Sequence, residues 1–368
     1  MAYYRPLRPH VSKALLQPLR QNVQNGHSKG RTISRPFSVS RHDRDNRSAF
    51  SFTPANRLSH RTCMITGGTS GIGFAIAERF LQEGAGRVIL VGRSHQRLCD
   101  AAARLQAVSD YDPQSAAVST KAPEGGMEQA DAKGACLGSD AKAADSFSAN
   151  VSERITLIVG DVAEAGSWMR ELEKQMVSFF FFFLESVDIL VNAAGISISA
   201  ILPKTEPSDI SQILRTNLEG SILMSRALVR AAIRSRIKSR KATNSLTKSP
   251  LSKCIINVSS LLALKGGTGA VSYAASKAGI LGLTRSLTVE AAASLRDVVI
   301  RSNAIVPGYI ETPMIADFTE SEISRLKENI PLHRFGDPQE IADAAVFLAQ
   351  NEYANNCVLN IDGGLSAL

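Results

Sequence analysis

The chain has 368 residues, 44% of them hydrophobic, and a formal net charge of +8. The charge is concentrated: residues 1–42 carry eight Lys and Arg and no Asp or Glu, while the other 34 basic residues balance 34 acidic ones. The high charge therefore gives no ground for nucleic-acid binding. No apolar run approaches the ~20 residues of a membrane helix, so no membrane span is expected. Five cysteines scattered without CxxC spacing argue against a disulfide framework or a metal site.

In chain order, residues 1–45 come first. This Arg- and Ser-containing, non-hydrophobic stretch, acid-free through residue 42, reads as a disordered mitochondrial presequence with the matrix as its address. Arg35-Pro36-Phe37-Ser38-Val39-Ser40 resembles a matrix-protease processing site. A basic tail with no address is the alternative.

From about Arg57, β-type runs alternate with helical patterns, as in a parallel α/β sheet. Strands are expected at Thr62–Thr66, Arg87–Val91, Ile155–Val159, Val187–Val191, Ile255–Val258, Val298–Ile305 and Val358–Ile361, with helices at Ile72–Gln82 and on to about Leu105. Asp337-Pro338-Gln339-Glu340 opens the last long helix with a cap, a first-position proline and an acid. Residues 106–152 lack apolar periodicity and read as a disordered insertion. Residues 236–252 read as a polar, basic insertion. Phe179–Leu184 is too short to span a bilayer. One domain, 57–368, remains, with a core of roughly 250 residues outside the insertions.

Thr66-Gly67-Gly68-Thr69-Ser70-Gly71-Ile72-Gly73 follows the first strand and opens the first helix. Glycines there let backbone approach a pyrophosphate at a helix N-terminus, where N–H groups and the dipole favour anions. This makes Thr66, Gly67, Ser70, Gly71, Ile72 and Gly73 cofactor-binding candidates. After the second strand, where an acid would bind ribose hydroxyls, stand Arg93 and Ser94, which favour the 2′-phosphate of NADPH. Asp161 and Val162 follow the third strand, and Asp161 either accepts from adenine or caps its own turn. Asn192-Ala193-Ala194-Gly195 ends the fourth strand with small residues that leave space for a ribose.

Tyr273 and Lys277, four apart, share one helix face, and Ser260 precedes Tyr273 by thirteen residues. A phenol with pKa about 10 hardly ionises at neutral pH, and a fixed cation favours the phenolate, so the pair suits a general acid for a developing alkoxide. Ser260 would supply a second hydrogen bond to the same oxygen. Asn217 is a poor helix former in a helical segment; buried, it would hold a water linking Lys277 to solvent.

Together these motifs resemble the short-chain dehydrogenases/reductases, whose Asn-Ser-Tyr-Lys set matches Asn217, Ser260, Tyr273 and Lys277. The resemblance spans about 57–368 outside the insertions. It implies an α/β, Rossmann-like doubly wound fold with a mostly parallel seven-stranded sheet and helices on both faces. It also implies that Lys277 binds the nicotinamide ribose, and that in the Pro307-Gly308 segment Ile310 and Thr312 contact the nicotinamide carboxamide. Tyr273–Gly279, Gly336-Asp337-Pro338 and Asp362-Gly363-Gly364 are most similar to 3-oxoacyl-[acyl-carrier-protein] reductases. With the leader, that resemblance implies NADPH-dependent ketone reduction in mitochondrial type II fatty-acid synthesis, a homotetramer, and carrier docking near Lys248, Lys253 and Arg296. The rivals are reduction of another ketone, quinone or steroid, for which Met314–Ile330 would discriminate, and a non-catalytic NADPH-binding subunit.

Overall fold

The computed structural model describes residues 56–109, 148–164, 166–175, 187–242, 252–295, 298–316 and 318–368. The leader, most of the 106–152 segment, Phe179–Leu184, Lys248 and Arg296 lie outside the described residues.

The elements alternate as their periodicities require: β1 (Thr62–Thr66), α1 (Gly71–Gln82), β2 (Arg87–Gly92), α2 (His95–Ser109), β3 (Ser148–Asn150), β4 (Ile155–Val159), α3 (Ser167–Gln175) and β5 (Ile189–Asn192). Then come α4 (Pro207–Leu214), α5 (Gly220–Ala242), β6 (Lys253–Val258), α6 (Val271–Ser294), β7 (Ile300–Pro307), α7 (Glu320–Asn329), α8 (Pro338–Gln350) and β8 (Val358–Ile361). The sheet order is β3-β4-β2-β1-β5-β6-β7-β8. Chain order reverses between β1 and β5, so the carboxyl ends of these two strands flank the crevice where doubly wound folds bind ligands.

Buried residues alternate across the sheet with the two-residue period of a strand. Cys63, Ile65, Val88 and Leu90 pack with α1, α2 and α8 on one face, and Met64, Ile89 and Val91 with α3 and α5 on the other. Full burial of each such aliphatic side chain contributes about 1.5–3 kcal/mol. The α8 start is a capping box: Asp337 accepts from Gln339 N at 2.8 Å and Glu340 from Asp337 N at 2.8 Å.

Among the described residues the sheet has eight strands, not the expected seven. The additional one, β3, pairs antiparallel with β4, and Thr156 Oγ1 donates to Asn150 Oδ1 at 2.8 Å across the pair. Ser148-Ala149-Asn150 has no apolar alternation to signal a strand; the free edge of β4 imposes the extended form. α2 continues to Ser109 and α5 to Ala242. Among the described residues no helix is long and apolar enough to cross a membrane.

Candidate active site

β1 ends at Thr66, whose Oγ1 accepts from Ala193 N and Ala194 N at 3.2 Å each. That hydroxyl ties the glycine-rich turn to the segment leaving β5. Gly71 sits at φ +55°, and a Cβ on Gly73 would stand 2.4 Å from Gly67 O, so only glycine closes this turn against α1. Ser70 is the N-cap of α1 but makes no side-chain cap bond, and the first turn has no acid. A bare backbone cradle at an uncapped, acid-free helix start fits the pyrophosphate of a dinucleotide. Thr312 is placed over the same turn: its Cγ2 would lie 3.3 Å from a Cβ on Gly71.

Arg93 and Ser94 are exposed beyond β2. Asp161 Oδ1 accepts from Ala163 N at 3.0 Å. Val162 is buried, with its Cγ2 2.8 Å from where a Cβ on Gly220 would stand. Asn192 is turned into the interior, where its Nδ2 donates to Asn257 Oδ1 at 2.8 Å and Ser225 Oγ at 3.2 Å. It braces β5 against β6 and α5. Pro307 ends β7, and Gly308 N donates to Ile361 O at 2.9 Å. The Ile310 side chain is buried in the core. Thr312 lies against the glycine-rich turn.

β6 leads to Ser260, which caps a short 3-10 turn and accepts from Leu262 N at 3.2 Å. α6 presents Tyr273 and Lys277 on one face. Burial pushes the Tyr273 phenol up from its ordinary pKa, and a hydrogen bond with Ser260 partly offsets this. Lys277 is buried; its Nζ donates to Val258 O at 2.9 Å and lies 5.7 Å from the Tyr273 ring centroid. Loss of water lowers the Lys277 pKa to about 8. Desolvation is the leading influence on both groups.

Asn217 is fully buried within a π-helical turn, Arg215–Glu219, between α4 and α5. Such one-residue bulges commonly serve sites. Its Oδ1 accepts from Ile196 N at 2.8 Å, and its Nδ2 donates to Ile196 O at 3.0 Å and Ser276 Oγ at 3.1 Å. Ser276 in turn donates to Tyr273 O at 2.7 Å, and Ser259 donates to Lys277 O at 2.8 Å. A Cβ on Gly195 would be 3.3 Å from Lys277 Nζ and 3.4 Å from Asn217 Oδ1, which places those two groups beside one small space. Ser276 and Ser259 escaped the sequence reading. The only signal was their position next to Lys277 and Ser260.

The fold and the assembled Ser260, Tyr273, Lys277 and Asn217 define a dinucleotide-dependent oxidoreductase. Comparison with known proteins agrees. Residues 54–137 match the family model described as SDR-like Rossmann domain, and residues 127–366 match that of Enoyl-(Acyl carrier protein) reductase. The chain is 32% identical over 305 residues to the 3-oxoacyl-[acyl-carrier-protein] reductase of Rattus norvegicus, covering 83% of this chain and 98% of the relative. It is 39% identical over 183 residues to Carbonyl reductase family member 4 of Danio rerio, covering 50% of this chain and 68% of that relative. A putative short-chain alcohol dehydrogenase structure from Sinorhizobium meliloti superposes with TM-score 0.61 at 28% identity, covering 85% of this chain and 99% of that one. The chain belongs to the short-chain dehydrogenase/reductase family. It is an oxidoreductase with a site for an NADP(H)-type dinucleotide.

Proposed function

We propose that this enzyme reduces 3-oxoacyl groups carried on acyl-carrier protein to 3-hydroxyacyl groups, with NADPH preferred over NADH, in the mitochondrial matrix. The observation that carries this reading is the convergence of Ser260, Tyr273, Lys277 and Asn217 in a chain that aligns along 98% of a relative named for that reaction. Exposed Ile201, Leu202, Leu264, Val271 and Met314 lie on the segments after β5, β6 and β7 and at the start of α6. An acyl chain suits such apolar surroundings better than a polyol does. The basic leader, acid-free through residue 42, supports the matrix address, and a homotetramer assembled through α5 and α6 belongs to the same reading.

The bound dinucleotide, held by the Gly67–Gly73 turn, Thr312 and Lys277, would supply the hydride. Tyr273 O–H gives its proton to the carbonyl oxygen, and Ser260 O–H holds that oxygen in place. Lys277, charged below about pH 8, favours the anion left on Tyr273. Asn217 holds the Ile196 backbone and, through Ser276, the α6 turn that carries Tyr273.

Of the three proposed docking residues, Lys253 is the one whose charge is already partnered. It begins β6, and its ammonium is engaged by Asp188 at 2.9 Å. Lys248 and Arg296 remain the proposed anchors. The similarity to a carbonyl reductase supports a second reading, reduction of another ketone, quinone or steroid. Turnover by the purified chain with one 3-oxoacyl group on carrier protein, on coenzyme A and as a simple ketone tests the choice. The carrier-bound form should have the highest kcat/KM; a preference for the simple ketone over both thioesters overturns the carrier reading and leaves the reductase.

A further inference from the structure

Two guanidiniums stand where β2 passes into α2. Arg93 is exposed and makes no hydrogen bond or ion pair with a described residue. Arg97, also exposed and one turn further on, reaches back across the crevice, and its Nη2 donates to Ser70 Oγ at 3.2 Å. Ser70 opens α1, yet its hydroxyl caps no N–H of that helix. Neither α1 nor α2 has an acid in its first turn. Thus Arg97 is tethered by a neutral hydroxyl, with no carboxylate of a described residue within ion-pair distance. A solvated arginine gives up side-chain entropy for such a tether and gains little from it alone. The tether does bring a planar, multi-donor cation beside the free N–H groups of α1, on the side of the crevice that Arg93 occupies. Two forks of this kind suit a dianionic phosphate monoester.

We propose that Arg97 is a specificity-determining residue that grips the 2′-phosphate of the dinucleotide together with Arg93, and that Ser70 holds it ready. This rests on the NADPH preference proposed above. Ser94 supports the arrangement from below, its Oγ accepting from Arg97 N at 3.4 Å.

The test is direct binding, with no turnover involved. Calorimetric titration of the full chain with 2′,5′-ADP and with 5′-ADP separates the 2′-phosphate from the rest of the nucleotide. Arg97→Gln should weaken 2′,5′-ADP about tenfold to a hundredfold and leave 5′-ADP within about twofold, as loss of a charge-assisted hydrogen bond requires. Arg97→Lys should fall between, since it keeps the charge and loses the fork. Ser70→Ala should give a smaller loss in the same direction. Raising salt should shrink the wild-type preference. If Arg97→Gln weakens both nucleotides alike, or neither, the proposal is overturned. If Arg93→Gln removes the preference and Arg97→Gln leaves it intact, Arg97 is dismissed while the NADPH reading stands. If wild type does not distinguish the two nucleotides, both fall.

Discussion

Lys277 Nζ donates to Val258 O at 2.9 Å, so the cation at the centre of this site is anchored to the last residue of β6. The contact sets the reach of the ammonium toward Tyr273 and explains why it is buried deeply enough to titrate near pH 8.

The first prediction concerns pH. Lys277 carries its charge below about 8 and loses it above, so kcat/KM for ketone reduction, which reports the free enzyme, should fall as pH rises through that value. Folding stability should show the opposite sign. Between about 8 and the ordinary lysine value of 10.5, the unfolded chain holds a proton that the folded one has released. Stability from this group therefore rises with pH across that window, by roughly 3 kcal/mol. Urea unfolding of wild type and Lys277→Met should differ most near neutrality and converge toward pH 10; a pH-independent difference would refute the depressed pKa.

Tyr273→Phe removes only the transferable proton. Turnover should drop by about 10²–10⁴ or more, while dinucleotide binding, followed by fluorescence titration, changes little. Turnover close to wild type in this variant would remove Tyr273 from the chemistry.

Ser276→Ala deletes the hydroxyl between Asn217 Nδ2 and Tyr273 O. A buried partner lost in this way costs about 1–3 kcal/mol, and the turn bearing Tyr273 loses a brace. We expect a lower urea midpoint and a lower kcat with KM nearly unchanged. An unaltered kcat would show that Ser276 serves stability alone.

Gly73→Ala places a methyl 2.4 Å from Gly67 O. The turn must open, at about 1–3 kcal/mol for an overpacked site, and the pyrophosphate cradle opens with it. Calorimetry should detect weakened dinucleotide binding in a protein that retains its far-ultraviolet circular dichroism; wild-type affinity would mean the turn yields without harm.

Residues 1–45 fused to a fluorescent protein should enter mitochondria, and Arg→Ala changes at Arg5, Arg8, Arg20 and Arg31 should keep the fusion in the cytosol. A wild-type fusion that stays cytosolic removes the matrix address and much of the support for organellar fatty-acid synthesis.

The alternation of two-residue and 3.6-residue periods, the glycine spacing after Thr66 and the four-residue step from Tyr273 to Lys277 are local properties of the chain. They determined the order of the main elements and the doubly wound class, and they nominate Asn217, Ser260, Tyr273 and Lys277 as the catalytic set. The rest depended on partners distant in sequence. β3 exists because β4 offers an unpaired edge, and Lys253 faces Asp188 because β6 pairs with β5. Arg97 meets Ser70 only because α2 folds back over α1. The same holds for the Lys277 and Tyr273 titrations: spacing put cation and phenol on one face, but desolvation in the packed interior decided their pKa values, and burial is a property of the whole fold.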